Sequence, residues 1–134
     1  MCDSSSSYPI NGQIYRGKAT SGEREKNVGE GVVKDLCVNL FHGSGRNIVC
    51  HNFFTGFNLA KSLMMDYNLS MLGTVNKGRK FVPPQFVTPK GREVESTIFG
   101  FSNNITMCYY VPKKTKAVLV LSTMHYTPEV EGPK

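Results

Sequence analysis

The hydrophobic positions of this chain follow helical spacing in its first half and gather into short, strand-length runs in its second. Val32, Val33, Leu36, Cys37 and Leu40 recur at helical intervals and predict an amphipathic helix over about 28–41. That helix is expected to stop at His42-Gly43-Ser44-Gly45, where glycine permits a left-handed C-terminal cap. Asn47-Ile48-Val49-Cys50 is a short apolar run between turn signals, which predicts a buried strand. Phe57, Ala60, Leu63 and Met64 share one face of a second predicted helix over 56–65, and 70–75 returns as a strand. At the N-terminal end, Tyr8 to Tyr15 predicts a hairpin turning at Asn11-Gly12. Residues 17–31, rich in Gly, Ser, Lys and Glu, predict a loop. Strand, helix, strand, helix, strand is the order of an α/β sheet with right-handed crossovers.

The pattern changes after residue 76. Lys77 to Val87 contains the adjacent Pro83 and Pro84 and reads as an irregular loop. Three strand candidates follow, over 97–101, 105–111 and 117–122, separated by Ser102-Asn103-Asn104 and Pro112-Lys113-Lys114-Thr115. The expectation is an antiparallel β-meander added to the α/β part, with a division into 1–76 and 77–134.

Composition narrows the function classes. Hydrophobic residues make up 40% and charged residues 19%, the balance of a folded domain rather than a disordered one. The 134 residues leave room for one domain. No stretch is long and apolar enough for a transmembrane helix, and the polar start Met1-Cys2-Asp3-Ser4 does not resemble a secretory signal. An intracellular chain with no membrane partner and no small-molecule substrate is expected. The four cysteines are then read as reduced, buried and inert thiols.

The net charge of +6 is uneven. Residues 1–70 carry seven Lys/Arg against six acids, a net of +1, and residues 71–134 carry nine against four, a net of +5. Lys77, Arg79 and Lys80 form one basic cluster and Lys113, Lys114 and Lys116 another. Both could meet nucleic-acid phosphates by displacing condensed counterions, or could simply keep turns solvated.

Most chemical motifs fall away. Cysteines at 2, 37, 50 and 108 contain no Cys-x-x-Cys pair, which argues against structural zinc. Gly43-Ser44-Gly45-Arg46 precedes a predicted strand, whereas a phosphate loop follows a strand and opens a helix. The sequons Asn68-Leu69-Ser70 and Asn104-Ile105-Thr106 read as chance matches, and no nucleophile elbow is present. One pair stands out. Asp3 precedes the first predicted hairpin and His51 ends the 47–50 strand, so parallel flanking strands would bring both to the carboxyl edge of a sheet, where α/β folds place ligands.

Met1-Cys2-Asp3-Ser4 with Tyr8-Pro9-Ile10-Asn11-Gly12-Gln13-Ile14-Tyr15-Arg16-Gly17 resembles the piggyBac transposase catalytic domain around its first acidic residue. Gly43 to Thr55, ending Cys50-His51-Asn52-Phe53-Phe54-Thr55, is similar to that family's second catalytic strand, which reads Cys-Asp-Asn-(Trp or Phe)-Phe-Thr-Ser. Leu59-Ala60-Lys61-Ser62-Leu63 and Leu72-Gly73-Thr74-Val75-Asn76-Lys77 match the following helix and strand. Val118 to Thr123 matches the family's inserted β region.

The resemblance implies a partial RNase H-like fold, with a truncated mixed sheet and two helices in 1–76 and an inserted β-rich region with a tail in 77–134. It also implies a family mechanism in which three aspartates hold two metal ions to cut and rejoin DNA. The first aspartate maps onto Asp3, a metal ligand by resemblance alone. The second maps onto His51, and the third lies beyond Lys134. Magnesium prefers oxygen ligands, so the cofactor expectation is none, with Mg²⁺ only in an intact active domain. Only Met1 and Cys2 precede Asp3, about 7 Å of chain against the ~5 residues of an ordinary strand.

The resulting expectation is a transposase-derived segment without nuclease activity and with a residual DNA-associated or interaction role. Its partners would be DNA or other transposase-derived chains. Two alternatives stand beside it: a slice of a larger active transposase, and a translated relic that melts with weak cooperativity. Nuclear location follows from the resemblance only, since Lys113-Lys114-Thr115-Lys116 is too short to serve as a signal.

Overall fold

In a computed structural model of the chain, residues 1–15, 17, 28–88 and 90–130 are described. Helix α1, Val28–Phe41, carries its buried Val33 and Cys37 one turn apart, as their spacing requires. Gly43 and Gly45 then adopt positive φ of 75° and 69°, which turns the chain into strand β1, Asn47–Cys50. Helix α2, Phe57–Tyr67, buries Leu59, Ala60 and Leu63 and ends at Asn68, a left-handed cap at φ 49°. Gly43 N–H and Gly45 N–H donate to the Tyr67 and Asn68 carbonyls at 2.8 and 3.0 Å, so the turn after α1 closes the end of α2.

Strand β2, Ser70–Thr74, runs parallel to β1 with Val49 opposite Leu72. A loop with one 3-10 turn at Pro84–Phe86 leads to β3 (Thr97–Ser102), β4 (Ile105–Lys113) and β5 (Lys116–Ser122). All five strands form one mixed sheet in the order β1-β2-β5-β4-β3. The meander is therefore joined edge to edge with the parallel pair, through the antiparallel register of Leu72 with Ser122 and Thr74 with Val120. Hydrogen bonding within that sheet crosses the 76/77 position. This is the mixed α/β architecture expected of a partial transposase catalytic domain.

One face of the sheet is the core. Tyr109, Leu119, Leu121, Met71, Val111 and Ile105 point to it and are buried, with Leu59 and Leu63 of α2 in the same cluster. Phe86 covers the far end, packing edge-on against Tyr109 at 6.1 Å, with its ring tip 3.0 Å from where a Cβ on Gly100 would lie.

Three expectations change. The hairpin is not formed by 8–15. Asp3 N–H donates to the Tyr8 carbonyl at 2.8 Å and Ile10 N–H to the Met1 carbonyl at 3.0 Å, so residues 1–3 pair with 8–10 around Ser4–Ser7. Asn11 has other partners, its amide donating to the Leu36 carbonyl of α1 at 3.1 Å and its carbonyl accepting from the Met1 ammonium at 2.8 Å. Strand β1 is not buried throughout; it is a sheet edge, and Val49 is 71% exposed. The thiols are not all buried, because Cys2 is exposed and Cys108 only half-buried. The predicted 17–31 loop falls mostly outside the described residues, and its last four residues belong to α1.

Candidate functional site

A cleft of about 760 Å³ opens between α1, the free edge of β1 and the N-terminal hairpin, and Asp3 and His51 both line it. Two residues separated by 48 positions in sequence thus line one cleft. Asp3 lies just past the Cys2–Pro9 bridge, and its Oδ2 accepts from Ser5 Oγ at 2.6 Å, Ser6 Oγ at 2.6 Å and Ser6 N–H at 2.8 Å. These donors, the Ser5 hydroxyl foremost, hold its carboxyl well below the usual carboxylate range.

His51 follows the last residue of β1, at the carboxyl edge of the parallel pair. Its carbonyl accepts from Phe54 N–H at 2.9 Å, Thr55 N–H at 3.1 Å and Thr55 Oγ1 at 3.0 Å, which folds 51–55 into a tight turn. Thr55 is fully buried and Gly73 on β2 makes the space for it. Sequence reasoning places Thr55 within a motif but gives it no role. Its one signal is a single hydroxyl between an aromatic pair and a helix start.

The oxygen-rich donor set that two magnesium ions require is not here. Among the described residues Asp3 is the one carboxylate lining the cleft, its Oδ2 is already committed to three donors, and His51 offers imidazole nitrogen. Among the described residues no three His, Cys, Asp or Glu side chains converge to hold a metal. The residues present do not fit the family's metal pair.

The basic residues are arranged around the same edge. Arg79 Nη2 donates to the Phe53 carbonyl at 2.9 Å, tying the Lys77–Lys80 loop to the turn that carries His51. Strand β5 runs antiparallel to β2, so its first residue, Lys116, lies beyond the carboxyl end of β2. Lys113 pairs with Lys116 across the hairpin, and Lys113, Lys114 and Lys116 are all exposed. The register therefore puts Lys77, Arg79, Lys80, Lys113, Lys114 and Lys116 at the same end of the sheet as His51, with Lys116 four residues beyond the partner of Thr74, the last residue of β2.

Burial pushes the Cys50 thiol up to about 11, with Cys37 adding to the effect, and raises Cys37 and Cys108 as well. Burial thus favours the neutral thiol over the nucleophilic thiolate at all three.

The family profile described as Transposase IS4 matches residues 1–132. A search of curated proteins returns no match. Among solved structures, the cryo-EM structure of a piggyBac transposase synaptic complex with hairpin DNA is similar, with 36% identity and a TM-score of 0.82 over 97% of this chain. This chain spans only 27% of the length of that transposase chain. A family match over nearly the whole length, with the same fold at this identity, places the chain in the Transposase IS4 family as a piggyBac-like transposase domain.

Proposed function

We propose that this chain associates with DNA through the carboxyl edge of its sheet and does not itself cut DNA. The observation that carries the reading is the pairing of His51 with Asp3 on one cleft, an imidazole standing where the family pattern has a carboxylate. A metal-assisted displacement needs charge-compensating oxygen ligands on both sides of the reacting phosphate, and among the described residues this cleft supplies one carboxylate. The six basic residues at the same edge support DNA as the partner, because they can replace counterions along a duplex backbone. The similar transposase was solved with hairpin DNA, which agrees with that choice. A DNA partner also favours nuclear location.

The test is a nicking assay on supercoiled plasmid with Mg²⁺ or Mn²⁺. The chain is expected to leave the plasmid supercoiled, and metal-dependent conversion to open circles refutes the reading. A second reading, a segment of a longer active transposase, is favoured by one observation. Asp3 and His51 still converge on a shared cleft, which further carboxylates could complete. In that case a longer chain carrying His51→Asp cuts DNA bearing transposon ends.

A further inference from the structure

The second face of the sheet is only partly covered: Thr106 and Ser122 are buried, Phe99 and Cys108 are half-buried, and Phe101, Tyr110 and Val118 are exposed. Cross-strand register places Phe99 opposite Cys108, Phe101 opposite Thr106 and Tyr110 opposite both Thr97 and Val118, all on the face away from the core. Phe101 is 52% exposed and Tyr110 37%. The rings of Phe99 and Phe101 lie nearly parallel, 18° apart with centroids 6.3 Å from each other. At the end of the strands, Tyr126 (60% exposed) comes over the β3–β4 turn, and with Phe101, Asn103, Asn104 and Thr106 it lines a recess of about 250 Å³. The segment carrying Tyr126 is held on this face by Thr106 Oγ1 donating to the His125 carbonyl and by Ser122 Oγ 2.8 Å from His125 Nδ1. Neither asparagine amide is hydrogen-bonded among the described residues, so both are free to meet a ligand.

We propose that this aromatic face binds a short unpaired stretch of DNA, with one base in the recess between Phe101 and Tyr126. It rests on the DNA-associated reading above and adds a site that the edge lysines do not provide. Aromatic rings on a sheet are sequence-tolerant stacking platforms for bases, and carboxamides can read base edges. Charge agrees. None of the five strands contains an acidic residue, and the track from Phe101 through Phe99 and Tyr110 leads to Lys113, Lys114 and Lys116. Glu93 and Glu95 are the acids nearest the start of β3, and both are exposed. From Thr106 to Lys113 the track is about 23 Å long, room for a few nucleotides in extended form. A duplex end whose phosphates rest on the lysine edge would deliver its single strand onto this face.

Fluorescence anisotropy on two labelled DNAs tests this: a blunt duplex, and the same duplex with a six-nucleotide thymidine overhang. The overhang is expected to tighten binding about tenfold, within the range of one or two stacked bases. Phe101→Ala and Tyr126→Ala are each expected to remove most of that gain while leaving blunt-duplex affinity unchanged. Both side chains are surface-exposed, and because the Tyr126 hydroxyl also donates to the Thr123 carbonyl at 2.8 Å, the folding of each variant is checked by melting. Equal affinity for the two DNAs overturns the proposal and leaves the DNA-associated reading standing, whereas absence of binding to either DNA overturns both. If the chain instead self-associates at micromolar concentration and Phe101→Ala abolishes this, the face is an interface between copies and the proposal fails.

Discussion

Thr55 occupies the space that a side chain on Gly73 would need. A Cβ built on Gly73 would lie 2.2 Å from Thr55 Oγ1 and 2.8 Å from the Cys50 carbonyl oxygen. The threonine uses that space to donate to the His51 carbonyl, so the place of His51 at the end of β1 depends on the absence of an atom on β2. The arrangement links a glycine in the family-like Leu72-Gly73-Thr74-Val75 run to the second candidate site residue.

Gly73→Ala is therefore expected to destabilise the fold by about 1–3 kcal/mol, the usual cost of overpacking a core. Thr55→Ala in the same chain removes the worse of the two clashes and is expected to restore part of the loss, although the Cys50 carbonyl remains close. Chemical denaturation of the two single variants and the double variant measures the coupling. Strict additivity would show that the two residues are not in contact.

The half-buried to buried thiols make stability fall at alkaline pH. Cys50 has an ordinary value of 9.0 when unfolded and about 11 when folded, so the unfolded chain loses this proton first. Its contribution is intact below pH 9 and disappears as pH rises to about 11, a loss of about 2–3 kcal/mol at 1.36 kcal/mol per unit. Cys50→Ala should flatten the melting temperature between these pH values relative to the parent chain. An equally steep decline in the variant would assign it to other groups.

Tyr109 is fully buried, yet its hydroxyl has no hydrogen-bond partner among the described residues, and the Arg92 guanidinium lies over its ring, 5.8 Å from the centroid. A buried donor without a partner costs about 1–3 kcal/mol of desolvation. Tyr109→Phe keeps the ring packing against Phe86 and removes that cost, so its melting temperature should equal or exceed that of the parent. A drop of several degrees would reveal a partner for the hydroxyl.

His51 is expected to limit cation binding at the cleft. His51→Asp adds a second carboxylate to the cleft that Asp3 lines, and millimolar Mn²⁺ should then raise the melting temperature of the variant but not of the parent, by preferential binding to the folded state. Equal shifts in the two proteins would mean that the cleft residue at 51 does not control the metal.

Both helices and all five strands were legible because each is a continuous local pattern, such as Val33 and Cys37 on one face of α1 or the run from Ile105 to Val111 in β4. Interactions beyond local sequence were harder to read. Asn11-Gly12 has the composition of a tight hairpin turn, but Leu36 and the Met1 ammonium take its polar groups, and the turn forms at Ser4–Ser7 instead. The exposure of Val49 depends on which strand, if any, lies beside β1. Asp3 and His51 were found through the topology their strands would need and through family resemblance. Thr55 and Gly73 could not be paired without knowing that the 51–55 turn folds under β2. That Lys113, Lys114 and Lys116 share the end of the sheet where Lys77, Arg79 and Lys80 follow β2 depends on β5 running antiparallel to β2, a pairing no single segment encodes.

DNA association through the lysine edge is tested most directly by the affinity for duplex DNA across a series of salt concentrations, comparing the parent chain with a Lys113→Ala, Lys114→Ala, Lys116→Ala variant. Each phosphate that the variant no longer neutralises should reduce the slope of log K against log salt by about 0.9. A steep slope is expected for the parent and a slope shallower by up to about 3 for the variant, with intact DNA recovered from every sample containing Mg²⁺. Binding that ignores salt, or a slope that the three substitutions leave unchanged, would contradict DNA association through this edge, and DNA cut in the presence of the metal would contradict the role given to His51.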